Sequence, residues 1–392
     1  TVKGSASAGF RSERGEVALT LGRTETDGIS AKADNDEKDG FDQTQITLSG
    51  RIAATETLTL GANVFWRDSE SEYDGRSSND ETLTREETGA RLFAEFVTGR
   101  VTHEISFTEF VVDRKDSAGT AEFTLESFDG ERRELVYKAN AALGANADLD
   151  FGLSRTTEDV DVTDPQPSDE FEGDETTVAA FAELRWRAAE RTNVSVALRR
   201  EDSSEFGVKT TGRIGVTHRL REDLTLRAVA GTGYRAPSLF ERYSRYADTT
   251  TTLKPETSES YEIGLEKALR NGGQVKATLF YTEIDDRIGY EGGGYNQVDG
   301  TTVTQGLELS GAYDVANRVT LTGSYTYTDA EEEGGTLARV PRHDLVLGAS
   351  ADLSDKWSAT GEIRRVADTQ PNDPSDPGKV GDYTLVNLGV GY

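Results

Sequence analysis

Carboxylates dominate the groups in this chain that could do chemistry. One connection between readable strands holds Asp27, Asp34, Asp36, Asp39 and Asp42, and the next long connection holds Asp74 and Asp80. A hard cation such as calcium takes about six to eight oxygen ligands, so carboxylates gathered at one place suit it. The same residues also read as solvated loop charge. Asp34-Asn35-Asp36 opens like a helix-loop-helix calcium motif, but neither a closing glutamate nor flanking helices follow, and that motif is set aside. The second candidate set is aromatic. Tyr243 and Tyr246 share one long connection, and Tyr290 and Tyr295 flank Gly292-Gly293-Gly294 in another. Tyrosine rings bury area at little entropic cost, so Tyr243 and Tyr246 could stack on a flat macrocycle, although packing of loop on loop explains them equally well, while Tyr290 and Tyr295 mark either a flexible ligand-contacting tip or simply a tolerant turn. Catalysis finds no support. There are 3 histidines and no cysteine, and His103, His218 and His343 are too scattered for a zinc or triad signature. No catalytic residue and no enzymatic activity are expected.

The elements that must position these residues have a two-beat rhythm. Alternating apolar and polar segments of about ten residues are joined by connections that are in turn very short and very long. Short joints include Arg221-Glu222-Asp223, Ala316-Asn317-Arg318 and Ser354-Asp355-Lys356, whereas long ones cover 27–42, 68–86, 113–132, 155–175, 231–259, 283–302, 328–341 and 367–382. If neighbours in sequence are antiparallel neighbours in space, every short joint falls at one rim and every long one at the other. That parity is expected of an all-β, large antiparallel transmembrane barrel with short periplasmic turns and long extracellular loops. About nineteen strands are readable, clearest at 57–67, 193–200, 318–329 and 343–353. Leu60, Val64, Val196, Leu279, Leu321, Tyr325 and Leu347 are expected to face lipid, and Thr322, Ser324 and Thr326 a wet lumen.

Composition agrees with that class. A net charge of −28 and a mean hydropathy of −0.59 exclude a bundle of membrane helices, but barrel strands show lipid only every second residue. An acidic chain is not expected to bind nucleic acid, whose phosphates select basic surfaces. The chain also has no methionine and no signal-peptide pattern at Thr1-Val2-Lys3-Gly4, which points to a processed, trimmed or engineered form.

Around residue 230 the chain reads Gly233-Tyr234-Arg235-Ala236-Pro237-Ser238, followed by Leu253-Lys254-Pro255-Glu256 and Ser260-Tyr261-Glu262-Ile263-Gly264-Leu265-Glu266. Gly306-Leu307-Glu308 and Val340-Pro341-Arg342-His343 open later strands. These pieces resemble the barrel signature of TonB-dependent outer-membrane receptors. The resemblance extends over essentially all of residues 1–392, and Thr26-Asp27-Gly28-Ile29, Asp39-Gly40-Phe41 and Glu72-Tyr73-Asp74-Gly75 make it most similar to the cobalamin (vitamin B12) receptors.

That resemblance implies an outer-membrane receptor or transporter barrel for a scarce, bulky, cobalamin-like nutrient. A siderophore receptor, a plugless passive pore and a structural or redesigned barrel are the alternatives. It implies calcium held by Asp27, Asp34, Asp36, Asp39, Asp74 and Asp80, and lipid as the surrounding partner. Family barrels have about twenty-two strands around a plug domain. Aligned by motif, Thr1 falls near the second family strand and Tyr392 near the twentieth, so a plug and terminal strands are expected to be missing. TonB, which engages receptors through the plug, is then not expected to engage this chain directly.

Overall fold

The computed structural model describes residues 1–30, 37–74, 81–118, 123–163, 170–244, 246–247, 252–270, 272–316, 318–332, 335–371 and 381–392. Its body is one 20-stranded sheet: nineteen strands of 9 to 20 residues and the two-residue strand Gly335–Thr336. A separate two-stranded hairpin, Ile288–Glu291 with Gly294–Gln297, sits in a loop. The long strands pair antiparallel with the strands before and after them, from Val2–Arg11 on Gly15–Thr26 through to Ser358–Thr369 on Tyr383–Gly391. The expected all-β barrel-type sheet is therefore the observed architecture. Among the described residues no pairing joins Val2–Arg11 to Tyr383–Gly391, which are the two edges of the sheet.

Register gathers the alternating residues into two continuous faces. Leu19 opposes Leu48, which opposes Val64; Leu184 opposes Val196, which opposes Ile214; Ile263 opposes Leu279, which opposes Leu307; Leu347 opposes Ile363, which opposes Val386. These side chains lie open on the chain's surface, Leu279 at 56% and Leu347 at 53% exposure, and only lipid covers such an area without cost. Leu60, Val64, Val196, Leu321 and Tyr325 share that face. Thr322, Ser324 and Thr326 lie on the opposite one, by alternation along Val319–Glu332. That inner face carries cross-strand ion pairs, including Arg91–Glu104 at 2.8 Å, Lys138–Glu104 at 3.1 Å and Arg227–Glu266 at 3.1 Å. Aromatic rings on it cover glycines of the neighbouring strand: a Cβ on Gly61 would meet the Phe93 ring at 2.0 Å.

Loop parity holds except at 204–206, a three-residue turn at the long-loop rim, and the other connections there are shorter than the sequence suggests because the strands continue into them. The 113–132 connection is mostly strand, the ends of Val101–Ala118 and Phe123–Ala142. At about 3.3 Å per residue an 18-residue strand runs about 60 Å, which at a 45° tilt still rises about 40 Å, against an apolar band of about 25 Å. The strands thus stand well clear of the membrane on the long-loop side, where both faces are wet.

Candidate functional site at the long-loop rim

Two groups of side chains converge on this rim. The first is acidic and joins two adjacent loops. Gly28, at φ +66°, lies so close to the returning segment that a Cβ there would sit 1.6 Å from the Asp39 carbonyl oxygen. Glycine at this position lets the loop close at its base. Gly40 donates its N–H to Glu72 Oε2 at 3.0 Å while Glu72 donates its own to the Gly40 carbonyl at 2.9 Å. Ser30 Oγ donates to Asp74 Oδ2 at 3.1 Å. This stitching brings Glu37, Asp39 and Asp74 together, one carboxylate oxygen from each lying within 4.8 Å of the others. All three are half-buried.

Of the six expected metal ligands, the structure thus unites Asp39 and Asp74 and adds Glu37. Asp27 is instead ion-paired with Lys38 at 3.5 Å and lies apart from the group. Asp34, Asp36 and Asp80 lie outside the described residues. The donor set fits a hard cation: three carboxylates, with neither nitrogen nor sulfur among them.

The second group is aromatic and is built by the segment after Leu224–Arg235. Ser238 caps the short helix Leu239–Tyr243 in a reciprocal capping box with Glu241. Arg235 grips that helix at Glu241 (2.9 Å) and the next strand at Glu256 (2.7 Å). Glu256 also accepts the Ile288 N–H at 2.7 Å, which ties the hairpin to the same base. Tyr295 donates its backbone N–H to the Tyr246 carbonyl at 2.8 Å. The rings then meet edge to face, Tyr246–Tyr290 at 5.8 Å and Tyr290–Tyr295 at 5.3 Å between centroids. Phe240 adjoins Tyr246 and Tyr295 at 6.3 and 6.2 Å, and packs at 5.7 Å on Phe128 of the inner wall. Burial first, and then the Glu241 carboxylate, raise the Tyr295 hydroxyl above its ordinary pKa.

Three of the four expected ligand tyrosines are therefore neighbours. Tyr243 is not among them; its ring lies on Gly173 and its hydroxyl accepts from Arg242 at 2.9 Å. Phe240 and Phe128 belong to the group but are not legible from the pattern, since Phe128 falls in a stretch that reads as a loop. The histidines stay scattered on the wall: His103 and His343 bond to the hydroxyls of Tyr137 and Tyr325, each at 2.9 Å, and His218 bonds to Thr192 at 2.9 Å.

The profile of the family described as "TonB dependent receptor-like, beta-barrel" matches residues 4–392. The chain belongs to this family. As a TonB-dependent receptor barrel it is a protein of the bacterial outer membrane. It is similar to the vitamin B12 transporter BtuB of Photobacterium profundum, with 22% identity over 408 residues, 99% of this chain and 64% of that protein. It is also similar to the iron-regulated outer membrane virulence protein of Vibrio cholerae, with 24% identity over 277 residues, 62% of this chain and 42% of that one. The receptor barrel thus spans between 42% and 64% of these two relatives' lengths. Among solved structures, the copper transporter OprC superposes with a TM-score of 0.80 at 17% identity, over 99% of this chain and 69% of that one, a likeness of fold.

Proposed function

We propose that this barrel captures a scarce, bulky, cobalamin-like nutrient at the cell surface for uptake energised through TonB. The observation that carries this reading is the cluster of Tyr246, Tyr290 and Tyr295, which two long loops hold over the inner wall at Phe128. Rigid rings at the mouth of a lumen suit a large flat ligand, because they offer area without losing much freedom on binding. Cobalamin is preferred to a siderophore because the similarity to a vitamin B12 transporter extends over 99% of the chain. No catalytic step is assigned.

Calcium is proposed to sit at Asp39, Asp74 and Glu37, with Asp34, Asp36 and Asp80 available in the same two loops. Bound there it would replace repulsion among carboxylates by shared coordination, and a loop already ordered costs the ligand less entropy. The capture reading is tested by equilibrium binding of cobalamin, and separately of a ferric siderophore, to outer membranes carrying the chain. Tyr290→Ala and Tyr295→Ala are each expected to weaken cobalamin about tenfold, equivalent to about 1.4 kcal/mol. Tighter siderophore binding, or cobalamin binding indifferent to both substitutions, would overturn it.

A further inference from the structure

The helix Leu239–Tyr243 hangs from the end of Leu224–Arg235, yet it packs against Ala147–Thr163 and Glu170–Ala189, strands well away from its own in the sheet. The strand residues it touches, Arg114, Phe128, Gly173 and Glu175, lie on the inner face by the register of their strands, so the segment crosses the inside of the mouth as a strap. All five residues of this helix are half-buried, and its ring contacts are those of Phe240 on Phe128 and of Tyr243 on Gly173.

Its ion-paired anchor on the far wall is Arg242. Its guanidinium donates to Glu175 at 3.2 Å and to Glu205 at 2.7 Å, and lies over the rings of Phe206 (5.1 Å) and Tyr243 (4.9 Å). The ion pair with Glu175 is well enclosed, the two side chains being 14% and 8% exposed. The wall is prepared for it. Ser203 Oγ donates to the other Glu175 oxygen at 2.7 Å and accepts the N–H groups of Glu205 and Phe206, each at 3.1 Å. The connection 204–206 is the shortest at this rim, a low point in the fence of loops where a strap can lie. Beside it Gly173 makes room for the Tyr243 ring: a Cβ there would meet Tyr243 Cδ2 at 2.4 Å. A second contact, Arg114 over Phe240 at 5.2 Å, steadies the strap farther along the wall.

We propose that Arg242 is the latch of this strap: docked on Glu175 and Glu205 it pins the helix inside the mouth and sets the position of Phe240 in the aromatic cluster, and released it lets the strap swing. Arg242 is thus a positioning residue, acting through the strap. This charge-assisted contact seats the Tyr243 end of the helix, beside the ring contacts that Phe240 makes farther along the wall, and its loss frees that end. This inference does not depend on which ligand the barrel takes.

Because the chain has no cysteine, a single thiol can report on the strap. Ser244, at 1% exposure, lies at the helix end, and Ser244→Cys changes its size little. The experiment is the maleimide labelling rate of this thiol in native outer membranes, with barrel folding checked by heat-modifiable gel mobility. Arg242→Ala is expected to raise the rate at least tenfold and Arg242→Lys less, since an ammonium cannot reproduce the two-sided fork. Gly173→Val, which evicts Tyr243 without touching a charge, is expected to raise it similarly, while Arg318→Ala at the opposite rim leaves it unchanged. Unchanged labelling in both Arg242→Ala and Gly173→Val would overturn the latch. So would a rise confined to Arg242→Ala, which would trace the effect to a stranded Glu175 charge and not to strap docking.

Discussion

Single residues at the rim differ in how far the sequence announces them. Asp39 and Asp74 stand out by type and spacing, and the structure adds Glu37 from the same acidic run. Asp27 looks equivalent in sequence, but Lys38 takes it. Tyr243 and Tyr246 are three residues apart and indistinguishable by composition, yet only Tyr246 joins the cluster. The direction of a loop side chain follows from its contacts, here Gly173 and Arg242, and no periodicity records it. Tyr295 offers a test at this scale. Its hydroxyl is raised above the ordinary tyrosine value of about 10, so the folded state favours the neutral ring. The resulting stability is complete below the unfolded value and is lost as pH rises through the folded one. An ultraviolet titration should therefore show one late-ionising tyrosine fewer in Tyr295→Phe than in the parent chain. A Tyr295→Phe profile that keeps the full late-ionising population of the parent, and loses a tyrosine that titrates at the ordinary value, would contradict the packing.

At the scale of elements, alternation made the membrane portion of each strand legible, and it failed where both faces meet water. Asp113, Asp129 and Asp161 are directly opposed on three neighbouring strands, yet charges there break the apolar pattern and read as loop. This is why the strands outrun the sequence reading, and why Phe128 went unrecognised as a wall residue. The helix Leu239–Tyr243 was equally hidden, being too short for a periodic signal. The lipid face carries a quantitative expectation. Leu321→Arg should cost about 2–4 kcal/mol in equilibrium folding into lipid vesicles if it lies near the midplane, whereas Thr322→Arg on the inner face should cost much less. Equal costs for the two would mean that the faces are misassigned.

For the whole molecule, the parity of connections and the "YRAPS"-type signature at Tyr234-Arg235-Ala236-Pro237-Ser238 pointed to the receptor-barrel family that the match over 4–392 establishes. How the loops fold inward was not legible, because it depends on contacts between strands far apart in sequence, such as Arg242 with Glu175. Two loop structures meet at one rim, an acidic group spanning the first two long loops and an aromatic cluster held over the lumen. On the function proposed above, the first prepares the rim for a ligand received by the second. Thermodynamic linkage makes this a reciprocal statement: if calcium raises cobalamin affinity by some factor, cobalamin raises calcium affinity by the same factor. The direct measurement is a calorimetric titration of calcium into the chain with and without saturating cobalamin, repeated with Asp39→Ala and Asp74→Ala. Calcium affinity should rise with cobalamin present, and both substitutions should abolish the rise while leaving the barrel folded. Calcium binding indifferent to cobalamin, or coupling that survives both substitutions, would mean that the acidic group and the aromatic cluster act independently.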